Sequence, residues 1–236
     1  MVGTKEIIIT IVLGLVLVAG LALWYGYEPG PSPSLRDTSE PITSPETPAT
    51  RAAQQAAEIH DMSNQKAIFT TNQGVIEIEL FTADMPITTG NFITLAEDGF
   101  YDNTKFHRVI AGFMIQGGDP NSRGDDSSQY GTGGPGYTIQ DEFVSGDHLS
   151  NVRGSIAMAN TGQPNSGGSQ FFINVADNLA LDFDKPPMTS RHPVFGQVVA
   201  GMDVVTAIEN TETGARDVPV EPVIIESITI EPMDQQ

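Results

Sequence analysis

The amino-acid sequence predicts a mainly β protein, a closed antiparallel barrel with few helices, preceded by one membrane-spanning helix. Three observations carry the prediction. Short apolar runs alternate with polar residues and are separated by glycine-rich loops; only two stretches in that region have helical spacing; and one unbroken apolar span lies near the N-terminus. Many short strands with few helices favour a barrel, because closure removes exposed sheet edges.

The apolar span runs from Ile7 to Tyr25, IIITIVLGLVLVAGLALWY. As a helix, its nineteen residues would extend roughly 28 Å, close to the hydrocarbon thickness of a bilayer. Trp24, Tyr25 and Tyr27 stand at its end, where interfacial aromatic residues belong. Lys5 and the α-amino group precede it, and no Lys or Arg follows until Arg36. That bias keeps the N-terminus in the cytoplasm. Residues 1–27 are therefore predicted to be a single-pass anchor in the cell membrane, with the rest extracytoplasmic. The alternative is a removed signal segment and a secreted protein, since Gly20-Leu21-Ala22 offers small residues before a cleavage site. A buried core helix is a third reading. Residues 28–64 are predicted to be a linker. Glu28–Pro48 is rich in Pro, Ser, Thr and Glu and has little with which to build a core. Ala49–Met62 has the composition of a short helix with a thin apolar face.

Residues 65–236 read as the folded domain. Ala67–Thr71 and Val75–Phe81 are predicted strands around the turn signal Asn72-Gln73-Gly74. Ile76, Ile78 and Leu80 alternate with Glu77 and Glu79, the pattern of a half-buried strand. Pro86 opens a helix to Asp98, with Phe92, Leu95 and Ala96 on one face and Gly99 as the stop. Met202, Val205 and Ile208 mark a second helix, and Val223–Ile230 a closing strand.

Composition excludes several classes of function. The formal net charge is −19, and so acidic a surface repels nucleic acid, whose binding needs Lys and Arg to displace counterions. The chain has no cysteine, which removes disulfides, thiol catalysis and Cys-type zinc sites. His60, His107, His148 and His192 form no metal-ligand spacing. Asp119-x-Asn121-x-Arg123-Gly124 begins like an EF-hand loop but has Arg at position five and Tyr130 at position twelve. Gly131–Gly136 lacks the Lys-Ser/Thr of a phosphate loop. Gly167-Gly168-Ser169-Gln170-Phe171 is not a nucleophile elbow. No metal and no cofactor is predicted.

Two longer stretches carry positive information. One is Phe106-His107-Arg108-Val109-Ile110-Ala111-Gly112-Phe113-Met114-Ile115-Gln116-Gly117-Gly118-Asp119. The other is Gly154-Ser155-Ile156-Ala157-Met158-Ala159-Asn160, followed by Asn165-Ser166-Gly167-Gly168-Ser169-Gln170-Phe171-Phe172-Ile173. Both resemble the signature stretches of cyclophilins, and the resemblance covers roughly Lys66 to Glu231. Asn91-Phe92 within the first helix, Val194-Phe195-Gly196 and Gly201-Met202 fall in the family's order. The resemblance implies a closed eight-stranded antiparallel barrel capped by two α-helices, and peptidyl-prolyl cis/trans isomerase activity on proline-containing polypeptides.

That activity needs neither nucleophile nor metal. Amide resonance sets a rotation barrier of about 18–20 kcal/mol, and X–Pro bonds interconvert unaided over roughly tens to hundreds of seconds. In the twisted transition state resonance is lost and the prolyl nitrogen gains a lone pair. A donor aimed at that nitrogen and a pocket holding the ring are sufficient. A rate gain of about 10³–10⁴ corresponds to roughly 4–5.5 kcal/mol, within reach of one preorganised charged donor in a desolvated site.

The resemblance assigns the parts. Arg108 matches the arginine that donates to the prolyl nitrogen, and Gln116 the glutamine that orients it. Phe113, Met114, Phe172 and Leu181 match the proline pocket. Ala159, Asn160 and Gln170 match the groove for the residues before proline, with a backbone contact at Asn160. His192 matches the pocket rim, whereas His107 reads as structural. The sequence departs from the family between Asp182 and His192, where Phe183–Arg191 forms a longer loop. Ala180 stands where many eukaryotic members carry tryptophan, so cyclosporin binding is expected to be weak. The rival functions are a proline-peptide binding module of the same fold with little turnover, and a general chaperone. Arg108 and Gln116 favour the enzyme, because binding alone needs only the pocket.

Overall fold

The structure, a computed structural model, describes residues 65–233. The predicted anchor (1–27) and linker (28–64) lie outside the described residues, among which no helix is long and apolar enough to cross a membrane.

The chain begins with the hairpin β1 (Gln65–Thr71) and β2 (Gly74–Leu80), whose register pairs Thr71 with Gly74 across the turn. Helix α1 (Pro86–Glu97) follows, and then β3 (Thr104–Lys105), β4 (Arg108–Ile110) and β5 (Met114–Gly117). After a long loop come β6 (Ser155–Met158), β7 (Phe171–Asn174) and β8 (Val194–Ala200). Helix α2 (Met202–Glu209) and β9 (Ile224–Pro232) complete the domain.

The predicted closed eight-stranded barrel is corrected to a curled, antiparallel, nine-stranded sheet in the order β3-β9-β1-β2-β8-β6-β7-β5-β4. No ladder joins β3 to β4. β3 pairs with β9 and β4 with β5, and Phe106 and His107 carry the chain from one edge of the sheet to the other. The covalent chain bridges the seam instead, and the Phe106 amide donates to the Val223 carbonyl at 2.9 Å.

The curl brings distant strands together around an aromatic core. The Phe171 ring of β7 meets Phe69 of β1 at 5.5 Å and Phe92 of α1 at 5.8 Å, both edge-on. Phe92 also stacks on Tyr101 at 5.2 Å. Such rings bury large apolar area and prefer edge or offset contact.

Helix α1 differs from its predicted one-sided burial. Thr88 through Ala96 are all buried. Its threonines make this possible by satisfying their hydroxyls within the helix: Thr89 Oγ1 donates to the Met85 carbonyl at 2.7 Å and Thr94 Oγ1 to the Gly90 carbonyl at 2.8 Å. A buried hydroxyl with a partner avoids the desolvation penalty. The helix N-terminus is capped from afar, because Glu142 accepts from the amides of Ile87 (3.1 Å) and Thr88 (2.9 Å).

Candidate active site

Strand alternation builds the site. In β4, β5, β6 and β7, Val109, Ile115, Ile156, Phe171 and Ile173 face the main core. Their neighbours Ile110, Met114, Ala157 and Phe172 face the other way and form a second apolar cluster with Val194, against which Phe81, Phe113, Ala159 and Leu181 pack. The registers align one outer row across five strands: Arg108 opposite Gln116, Gln116 opposite Phe172, Phe172 opposite Ala157, and Ala157 opposite Val194. A cation, an amide and an apolar patch therefore stand side by side on one face.

All of the predicted site residues lie on or beside this row. Met114 and Phe172 are buried, and Phe113 and Leu181 are half-buried at its edge. The Phe113 carbonyl is held twice, by the Val175 amide at 3.1 Å and by Asn178 Nδ2 at 2.8 Å. The His192 ring meets Phe172 edge-on at 5.3 Å, and its Nδ1 lies 3.1 Å from the Met158 carbonyl. Burial lowers the His192 pKa, against the opposing pull of that carbonyl, so the ring favours its neutral form.

The longer loop does not displace His192. The His192 amide donates to the Leu181 carbonyl at 3.0 Å, so 183–191 leaves and re-enters at one point. Asp182 anchors its base: it accepts from Ser150 Oγ at 2.5 Å, from the Asn151 amide at 2.7 Å and from Lys185 Nζ at 2.7 Å. Burial alone would raise the Asp182 pKa. The donors from Lys185, Ser150 and Asn151 outweigh it and hold the carboxyl below its ordinary value.

Arg108 is half-exposed, and the partner of its Nε is Asp217 Oδ2 at 3.4 Å. Gln116, across the ladder, donates instead to Gln170 Oε1 at 3.0 Å, and Gln170 passes the chain on to the Gly133 carbonyl at 2.8 Å. Gly118 lets β5 end so close to β7. Its φ is +80°, and a Cβ there would lie 2.3 Å from the Ser169 carbonyl oxygen. Ala159, Asn160, Gln170 and Gln116, with Gly131–Pro135 of the glycine-rich loop, line a groove of about 300 Å³. The Ala159 amide donates to the Gln170 carbonyl at 2.9 Å. The Asn160 side chain is occupied by the loops, donating to the Arg191 carbonyl at 2.6 Å and accepting from the Gly162 amide at 3.0 Å.

His107 is packed rather than hydrogen-bonded. It is 3% exposed and neither ring nitrogen has a partner of good geometry. Burial is the main cause that lowers its pKa to about 4, outweighing the nearby Asp119 carboxylate. Asp119, at the head of the EF-hand-like segment, is a turn cap that accepts from the amides of Asn121 and Gly131. Among the described residues no three His, Cys, Asp or Glu side chains gather into a metal site. Asp217, Asn178 and Ser150 went unrecognised in the sequence. No local pattern marks them, and each reaches its partner only through the fold.

A family model described as cyclophilin type peptidyl-prolyl cis-trans isomerase matches residues 66–230. The chain belongs to the cyclophilin family. This cyclophilin is 46% identical over 169 residues to peptidyl-prolyl cis-trans isomerase B of Escherichia coli (strain K12), a match covering 69% of this chain and 97% of the relative. It is 42% identical over 175 residues to a peptidyl-prolyl cis-trans isomerase of Acinetobacter baylyi, covering 72% of this chain and 88% of that one. A crystal structure of a Cryptosporidium parvum cyclophilin type isomerase, determined in the presence of the dipeptide Ala-Pro, superposes with a TM-score of 0.60 at 32% identity, covering 71% of this chain and 99% of that one. The cyclophilin described here is thus an enzyme of the peptidyl-prolyl cis/trans isomerase class.

Proposed function

We propose that this cyclophilin turns X–Pro bonds in extracytoplasmic polypeptides, with Arg108 donating to the prolyl nitrogen as the bond twists. The supporting observation is the outer row Arg108–Gln116–Phe172–Ala157–Val194, which sets a guanidinium at the rim of an apolar cluster. Phe113, Met114, Phe172, Leu181 and His192 would hold the proline ring, and Ala159, Asn160 and Gln170 the residues before it. Because Nε faces Asp217, the two η nitrogens are the atoms available to substrate. The prolyl nitrogen gains an accepting lone pair only in the transition state, so this interaction accelerates turnover rather than tightening binding.

A protease-coupled assay on an X–Pro peptide tests the chemistry. Arg108→Ala should lose most of its turnover, with little change in peptide affinity and an unaltered circular dichroism spectrum. Near-normal turnover in the folded variant would remove Arg108 from the mechanism. The extracytoplasmic setting rests on the apolar Ile7–Tyr25 span and the Lys5 that precedes it. Protease added to intact cells should cut the Pro/Ser/Thr-rich linker and release the domain. A mature protein beginning near Leu23 would instead identify the span as a removed signal.

A further inference from the structure

Of the eight Lys and Arg side chains among the described residues, seven have partners. Lys66, Lys105, Arg108 and Lys185 are in ion pairs. Arg123, Arg153 and Arg216 donate hydrogen bonds. Arg191 has no side-chain partner among the described residues, in a domain where acids far outnumber bases. It lies at the end of the 183–191 excursion and lines a recess of about 290 Å³ with Asp141, Phe143, Asn160, Pro164 and Met188. The loop that supplies Met188 and Arg191 to the recess is anchored at both ends. Phe183 stacks on Phe143 at 5.3 Å, Lys185 Nζ bonds both Ser150 Oγ and Asp182 at 2.7 Å, and Asn160 ties the Arg191 carbonyl to the groove. Asp141 is engaged, accepting from the Asn165 amide at 2.8 Å. Met188, 52% exposed, leaves apolar surface beside the free guanidinium. Asn160 also lines the groove assigned above to the residues before proline, so the two depressions adjoin at that residue.

We infer that this recess is a second substrate subsite, in which Arg191 selects polypeptides carrying an acidic side chain upstream of the proline. The inference rests on the proposed path of substrate along Ala159 and Asn160. An acidic substrate residue supplies the one partner Arg191 lacks, its methylenes can rest on Met188 and Phe143, and the carboxylate accepts from the guanidinium. A basic residue at the same place would be repelled by the Arg191 guanidinium.

The test is coupled isomerisation of the intact chain on peptides that differ only in Glu, Gln or Lys at one of the second, third and fourth positions before proline. At one of these positions kcat/KM for Glu should exceed that for Lys by about two- to fivefold at low salt, the range of an exposed ion pair. The preference should shrink at high salt, vanish in Arg191→Gln and reverse in Arg191→Glu. Turnover of the Gln peptides should change much less than that of the Glu and Lys peptides across the three proteins, because Gln carries no charge for Arg191 to attract or repel. No charge preference in the wild type, or one that survives in Arg191→Glu, would overturn the inference. Loss of turnover on the Gln peptides in Ala159→Trp, which blocks the proposed path, tests the underlying reading separately. Unimpaired turnover there would overturn the path and leave the family activity standing.

Discussion

Asp217 reaches Arg108 from 109 residues further along the chain, and its backbone is bent to do so. Arg216 and Asp217 both have positive φ, 63° and 61°, a conformation that costs non-glycine residues roughly 1–2 kcal/mol each. Arg216 holds the turn by donating to the Ser128 carbonyl at 3.2 Å and the Tyr130 carbonyl at 3.0 Å. Asn tolerates the same backbone, so Asp217→Asn removes the charge and keeps the turn. In that variant kcat should fall by about three- to tenfold with KM little changed, less than in Arg108→Ala. Stability should change by less than about 1 kcal/mol, since the pair is half-exposed. Steady-state kinetics at two salt concentrations check this: wild-type turnover should respond to salt and the variant should not. Ala180 supports a second single-residue prediction. It is exposed beside Leu181, and Phe183 does not take the missing ring's place, because it stacks on Phe143. Installing Ala180→Trp restores an indole donor and a large apolar face. One donor left unmade costs about 1–3 kcal/mol and each 1.4 kcal/mol is about tenfold. Cyclosporin inhibition should therefore strengthen by roughly ten- to several-hundredfold, with peptide turnover little affected. Titration of the drug against both proteins reads it, and equal inhibition would acquit Ala180.

Helix α1 shows how an element borrows stability from elsewhere in the chain. Its own cap residue, Met85, makes no side-chain hydrogen bond and no acid sits in its first turn. Glu142 supplies both the acceptor and the charge, 54 and 55 residues away. Capping is worth about 1–2 kcal/mol and a negative charge at a helix N-terminus adds several tenths. Glu142→Ala should lower unfolding stability by about 1–2 kcal/mol and Glu142→Gln by less, measured by urea denaturation. Because Glu142 adjoins Phe143 and Asp141, the alanine variant should also raise proteolytic sensitivity in the 141–143 loop. A stability equal to wild type would mean that the helix is held by its buried flanks alone.

For the molecule as a whole, the buried His107 predicts a loss of stability towards acid pH. The folded His107 pKa is about 4, lowered from 6.5. Between those values the unfolded chain binds the extra proton and the folded chain does not. The contribution is therefore complete above pH 6.5 and is lost as pH falls towards 4, up to about 3 kcal/mol at 1.36 kcal/mol per pH unit. His192 acts in the same direction. Asp182, with its lowered pKa, keeps its contribution above the ordinary carboxylate range and loses it at more acid pH. Chemical denaturation between pH 7 and 4 should show this decline. His107→Phe, which fills the same space beside Tyr130 without buried nitrogens, should flatten it. A slope unchanged in the variant would place the titration elsewhere.

The sequence by itself determined what is periodic or contiguous. The β1–β2 hairpin follows from alternation and a two-residue turn. Helices α1 and α2 follow from their apolar spacing, and the two signature stretches carried the candidate site residues because most of those residues sit within them. Tertiary structure alone decided the rest. Strands of two and three residues, such as β3 and β4, are too short to show a period, so neither the ninth strand nor the open seam could be read. The burial of α1 on nearly every side depended on threonines bonding backward, which looks polar in a sequence. The partnership of Arg108 with Asp217, the cap of α1 by Glu142 and the return of His192 to the site after a nine-residue excursion are contacts between segments far apart in the chain. No local pattern specifies such contacts; they form where the curled sheet, burying its aromatic core, brings those segments to the same face.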